Sequence, residues 1–408
     1  MNGFNLPSSS SEREYEWVQS DIITLFSSSS FFFNLFPTPV MANRWCQNMS
    51  EAVNITMSRQ QDPQRPLFLF GNPFKMLLRK GSYLSPRLLA LLNDFELALA
   101  ERLMNLKPKD KEDVLSLSWM GSAMELLCQT HTDIKTIITK LELPVCDWDD
   151  KWIDAYFDDS VKLLDICNAF SSELTRLNQG NLLLQCALHK MDAHDSERFL
   201  KARSSLDGWR RHISSKNPRL GNCFPNLDNL IGTLNRPKVK NSDKGKVLMR
   251  TMYGVKVVTV FVSSIFVAAF SGSANKLVDI QGLETCLWAD AFTDVQAYIN
   301  GESRNMLSSG RVTVLKELES VDTSVKKLLP MIQEGVDPIE AEAVQNSASD
   351  LGKRAAKLSQ GLDLLVEQVD GFFQILLSGR DTLLCNLRMV SSAPDIKQES
   401  RQGQAVKS

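Results

Sequence analysis

The chain has 408 residues, 43% of them hydrophobic and 23% charged, with a formal net charge of −2. It is long enough to bury a large core, and a charge so near neutrality excludes a global basic field for nucleic acid. The eight cysteines (Cys46, Cys128, Cys146, Cys167, Cys186, Cys223, Cys286, Cys385) show neither a close pair nor zinc-ribbon spacing, a usage that suits a reducing compartment.

Residues 1–56 contain SSSS twice and FFF once, with little helical periodicity. This is the composition of a disordered N-terminal extension. Its serine content resembles a plastid transit peptide, but Glu12, Glu14, Glu16 and Asp21 depart from that pattern, and no secretory n-region or apolar core is present. Met41 and Met57 are both candidate alternative starts. Residues 57–83 open with MSRQQDPQRPLFLFGNPFKM, which predicts an extended Pro/aromatic arm. Packing on the body would cover its Phe68, Phe70 and Phe74.

Ser85-Pro86 predicts the start of the first clear helix, with Ser as N-cap and Pro at N1, where its missing N–H is harmless. Leu88, Leu92, Phe95, Leu99, Leu103 and Leu106 recur at helical spacing, and Pro108 ends the pattern. A second helix is expected from about Asp113 to Lys140, burying Trp119, Met124, Leu127, His131, Ile134 and Ile138. A third is expected from Asp147 to about Leu177, with Gly180 as its C-terminal stop. Shorter helices follow over 181–189, 196–213 and 219–234.

The stretch Lys238–Phe270 is the most informative. Lys238, Lys240, Lys244, Lys246, Arg250 and Lys256 lead into an apolar run over 257–270 that contains Phe261 and Phe266. Cations attract anionic head groups, and apolar side chains enter the acyl region. These eight residues are therefore a candidate anionic-lipid site, with peripheral attachment expected. A spanning helix needs about 20 apolar residues, whereas a run of roughly 10–14 also fits a buried core helix. Helix is expected despite the Val, Ile and Phe content, because no second strand-like run offers a pairing partner.

Another amphipathic helix is expected over 283–299. Val312, Leu315, Leu318, Val325 and Leu329 then form one stripe. Pro330, Gly335 and Pro338 mark a turn, and a long helix runs from about Ile339 to Val390. The polar tail 391–408 is expected to be disordered. The fold class expected is all-α: an elongated antiparallel helical bundle with a C-terminal helical hairpin, its helical body spanning 84–390.

No motif identifies an enzyme. Four histidines limit acid–base chemistry, and His189 and His194 are five apart, so they do not share a helix face as two ligands would. His131 sits on an apolar helix face, the setting of a satisfied core histidine. Asp147, Asp149, Asp150, Asp154, Asp158 and Asp159 lack the loop glycine of a calcium site and read as helix N-terminal charge and a solvated face. No phosphate loop, dinucleotide fingerprint or nucleophile elbow occurs. No catalytic residue, metal or cofactor is expected.

Four long phrases, QDPQRPLFLFGNPFKM (61–76), LSPRLLALLNDFELALAERL (84–103), CNAFSSELTRLNQGNLLLQCALH (167–189) and PKVKNSDKGKVLMR (237–250), resemble the plant BYPASS family. The resemblance runs from about Met57 to Arg388. It implies a developmental protein of root, shoot and leaf that restrains a root-derived, carotenoid-linked mobile signal which would otherwise arrest shoot growth. It further implies protein partners, including an exocyst tethering subunit. Family members carry plastid or single-pass membrane labels; the location expected for this chain is cytoplasmic and membrane-associated, with the plastid as alternative. The family supplies no catalytic residues to carry over. Two functions therefore compete: a non-enzymatic helical adaptor at a membrane face, and an enzyme or carrier for a lipophilic signal precursor. A buried apolar cavity with convergent polar groups would favour the second.

Overall fold

The computed structural model describes residues 84–141, 151–192, 197–234, 242–283, 285–310, 313–332 and 338–391. The chain divides into two units, Met1–Phe70 and Gly71–Ser408, and every described residue lies in the second. The N-terminal extension, the aromatic arm and the polar tail beyond Ser391 fall outside the described residues, as do Lys238, Lys240, His194, Asp147, Asp149 and Asp150.

The described residues are helical, with no strand among them. In chain order the helices are α1 (Pro86–Leu106), α2 (Leu117–Leu141), α3 (Lys151–Asp192), α4 (Arg198–Ser214), α5 (Pro218–Gly232), α6 (Asp243–Ser271), α7 (Ala289–Ser308), α8 (Lys316–Leu328) and α9 (Pro338–Ser391). Local chemistry sets several of the ends. The Ser85 hydroxyl accepts from the N–H of Leu88, and Pro86 occupies the first turn. Asn217 caps α5 in the same way through the N–H of Arg219. Ser242 caps α6 through the N–H of Gly245, and Gly272 closes it in the left-handed region at φ 67°.

Several boundaries differ from the sequence reading; the helix expected over 283–299 runs as α7 over Ala289–Ser308. The second helix starts at Leu117 rather than Asp113, after a short 3₁₀ turn at Lys111–Asp113. Its first N–H groups are met by tertiary contact as well as by local capping: the carboxylate of Glu317, from α8, accepts from the N–H of Leu117 at 2.9 Å. Gly180 does not stop α3, which continues to Asp192 and absorbs the segment 181–189. A Cβ at Gly180 would lie 3.1 Å from Ile213 Cδ1 and 3.2 Å from His212 Cδ2. The glycine serves the close approach of α4, and the hydrogen-bonded helix runs on through it.

The centre of the unit is α6. It touches α1, α2, α3, α5 and α7, while α9 lies along α2, α3 and α8. Phe261 and Phe266 are 0% exposed. Phe261 meets Phe292 of α7 edge-on at 5.2 Å, and Phe266 packs on Phe170 of α3, also at 5.2 Å. Among the described residues α6 alone is long and apolar enough to cross a membrane, yet 83% of its apolar window is buried against protein. At Gly254 a Cβ would meet Leu99, Phe95 and Trp288 at 3.4–3.5 Å, ordinary contact that leaves room for a methyl group but not for a larger side chain. The C-terminal hairpin is present as α8, a 3₁₀ turn at Leu329–Met331, and α9.

Candidate ligand cavity

Among the described cations of the basic run, Arg250 and Lys256 pair with carboxylates on other helices. Lys246 pairs within its own helix with Asp243 at 2.7 Å. Arg250 clasps Glu96 of α1 through both Nε and Nη2, and its Nη2 also donates to the carbonyl of Thr285 at 2.8 Å. Glu96 is 1% exposed and accepts a third bond from the N–H of Leu287 at 2.8 Å. Lys256 donates to Asp159 of α3 at 2.9 Å and to the hydroxyl of Thr233 at 3.0 Å. Lys244 lies half-buried in the first turn of α6. Of the eight candidate lipid-contacting residues, the structure thus brings Arg250, Lys256, Phe261 and Phe266 into the body.

Beside the Lys256–Asp159 pair a cavity of about 240 Å³ opens between α2, α3, α5, α6 and α9. Its walls are mainly aliphatic, from Ile134, Leu163, Leu230, Met249, Val260 and Leu376. Polar groups converge on it from three helices: His131 of α2, Tyr156 and Ser160 of α3, and Thr259 of α6.

His131 is enclosed, with its ring edge-on to Phe372 at 5.0 Å. Burial disfavours the imidazolium and pushes the pKa down to about 4, so the ring is neutral at ordinary pH. Its Nε2 stands 2.9 Å from the Thr259 hydroxyl oxygen, and that hydroxyl lies 2.7 Å from the Val255 carbonyl. Thr259 has one proton, and only by donating it can the hydroxyl bond a carbonyl. The network therefore assigns the tautomer: Nε2–H donates to Thr259, and Nδ1 carries the lone pair.

Burial also holds the Tyr156 hydroxyl and the Asp159 carboxyl above their ordinary ranges, the latter partly offset by Lys256. Behind the α3 wall, the buried guanidinium of Arg380 donates to the Phe157 carbonyl at 2.8 Å and the Ser160 hydroxyl at 2.6 Å. This clamp ties α9 to the first turns of α3 and sets the register of the wall.

His131 was singled out in the sequence as a core histidine, and it is buried as expected. Asp159 read as part of a solvated face and is instead half-buried against Lys256. Tyr156 and Thr259 were missed. The available signal was a threonine within a run of Val and Phe, and a tyrosine on the same helix as the acidic cluster. Among the described residues no group of three His, Cys, Asp or Glu side chains is placed to hold a metal ion.

Comparison with known proteins places these helices in context. The family described as Protein ROH1-like matches residues 85–206, which span α1 to α3 and the start of α4. The chain is 56% identical over 338 residues to Protein BPS1, chloroplastic, of Arabidopsis thaliana, covering 83% of this chain and 95% of that relative. It is 44% identical over 317 residues to UPF0496 protein 4 of Oryza sativa subsp. indica, covering 77% and 66% of the two. Protein ROH1D of Arabidopsis thaliana is 21% identical over 347 residues, covering 71% and 87%. No solved structure matches the chain.

Proposed function

Because the chain belongs to the BYPASS family, we propose that it is a non-enzymatic regulator of root and shoot development that restrains a root-derived mobile signal. The observation that carries this reading is 56% identity spread over 95% of the Arabidopsis relative. Such extended identity spans 83% of this chain and is not confined to one motif. The carotenoid link of the signal and an exocyst tethering subunit as partner come from the same family resemblance.

The regulator acts as a helical adaptor. A single apolar core running through α1 to α9 supports it, because such a core holds partner-facing surfaces in fixed relation. The location is cytoplasmic at a membrane face, or the plastid, as the word chloroplastic in the Arabidopsis relative's name suggests. Attachment to an anionic membrane would draw on Lys238, Lys240, Lys244 and Lys246. Changing these four to Gln should remove up to roughly 4 kcal/mol of attraction and abolish sedimentation with anionic liposomes, an effect mimicked by raised salt. Equal sedimentation of both proteins would end the membrane reading.

The regulatory role is tested in an Arabidopsis plant lacking the BPS1 relative. Expression of this chain in the root alone, by grafting, should restore shoot growth. Unrestored growth despite normal accumulation of the protein would refute it. A second reading, a carrier for a lipophilic signal precursor, is favoured by one specific observation: the cavity, with its aliphatic walls and converging His131, Tyr156 and Thr259.

A further inference from the structure

We infer that the cavity between α2, α3, α5, α6 and α9 binds a neutral, compact lipophilic alcohol whose hydroxyl group donates to Nδ1 of His131. The assignment rests on the carrier reading and specifies its ligand.

Size comes first. A cavity of roughly 150 Å³ lined by aliphatic side chains accepts benzene, which has six heavy atoms. Scaling to about 240 Å³ gives a ligand of about ten heavy atoms, and the bulk of the wall is apolar. A single or fused alicyclic skeleton fits this volume, whereas a long extended chain does not.

Charge comes second. The charged side chains on the wall already have partners: Asp159 with Lys256, and Asp158 with Lys162. An ionised ligand would enter an apolar space without a free counter-charge, so a neutral molecule is selected.

Polarity comes third. Thr259 uses its proton on the Val255 carbonyl and takes the Nε2–H of His131. The other ring nitrogen, Nδ1, is then a lone-pair acceptor, and the described residues offer it no donor. A ligand O–H satisfies it. A carbonyl would set lone pair against lone pair, and an alkane would leave the nitrogen unmet. The Tyr156 ring stands on the same wall, with its hydroxyl packed against Gly379 of α9, 2.5 Å from where a Cβ there would be.

The test uses the full chain and four probes sharing one skeleton: decahydronaphthalene, decahydro-2-naphthol, the matching ketone and the matching carboxylic acid. Affinity is read by titration calorimetry, and the His131 ring nitrogens by ¹⁵N NMR. The alcohol should bind about tenfold or more tightly than the hydrocarbon and the ketone, as expected for one additional satisfied hydrogen bond. The Nδ1 resonance should shift on adding the alcohol alone. Ala155→Phe, which fills the cavity from α3, should remove binding of all four. If this variant fails to fold, the wild-type selectivity and the Nδ1 shift decide by themselves. Binding of hydrocarbon and alcohol alike, with Nδ1 unmoved, overturns the hydroxyl assignment and leaves the carrier reading standing. Preference for the acid or the ketone likewise overturns it. Absence of binding by all four defeats this assignment and the carrier reading together.

Discussion

Replacing Glu96 by Ala probes the most enclosed charged side chain among the described residues. The carboxylate accepts from Nε and Nη2 of Arg250 and from the N–H of Leu287, and it is 1% exposed. Its loss takes both carboxylate bonds from the Arg250 guanidinium and removes the acceptor of the Leu287 N–H. Breaking one side of a buried pair costs about 3–5 kcal/mol, because the surviving charge stays desolvated. Arg250 retains some exposure, with 26% of its side chain reaching solvent, so about 3 kcal/mol is the working value. For a helical body of this size 1 kcal/mol moves the midpoint by about 2–4 °C, so thermal denaturation should shift down by roughly 10 °C. The shift should persist in 0.5 M salt, since an enclosed pair is little screened. The double replacement Glu96→Leu with Arg250→Met should recover much of the loss. A shift below about 2 °C, or one that vanishes in salt, would show that the pair is solvated and would refute the placement of Arg250 in the interior.

Three further outcomes are expected. Phe266→Ala should cost about 3–5 kcal/mol, read by urea denaturation, because the ring is 0% exposed and packs on Phe170 and Phe270; a cost under 1 kcal/mol would mean that α6 is not enclosed. Gly254→Ala should stabilise by about 0.5–1 kcal/mol through helix propensity, since its Cβ would meet Leu99, Phe95 and Trp288 at ordinary contact distance, whereas Gly254→Leu should destabilise by overpacking. Burial raises Asp370 from 3.8 to about 6, so the native state holds its proton more tightly than the unfolded chain. Its contribution is present below about pH 4 and is lost as pH rises through 6. Asp370→Asn should therefore stabilise by about 1 kcal/mol at pH 8, after discounting for partial exposure, and leave pH 4 stability nearly unchanged; equal effects at both pH values would contradict this sign.

The sequence alone determined the helical character of the body, because caps and periodic stripes act over three or four neighbouring residues. Ser85-Pro86 marked the start of the first helix, and of the residues expected at the hairpin turn Pro330 lies in the 3₁₀ turn and Pro338 opens α9, while Gly335 is outside the described residues. Gly180 misled the same local reasoning, since its role is set by Trp209, His212 and Ile213 on another helix. The apolar run of α6 was legible as helix but not as interior. What covers it comes from α1, α2, α3, α5 and α7, and a hydrophobic face is compatible with lipid or protein until its neighbours are in place. The partners of Arg250 and Lys256 lie 154 and 97 residues away in the chain, beyond the reach of any local rule. The cavity was decided by tertiary structure alone. It is the space five helices leave unfilled where they meet, so its size depends on their mutual packing and not on the pattern within any one of them.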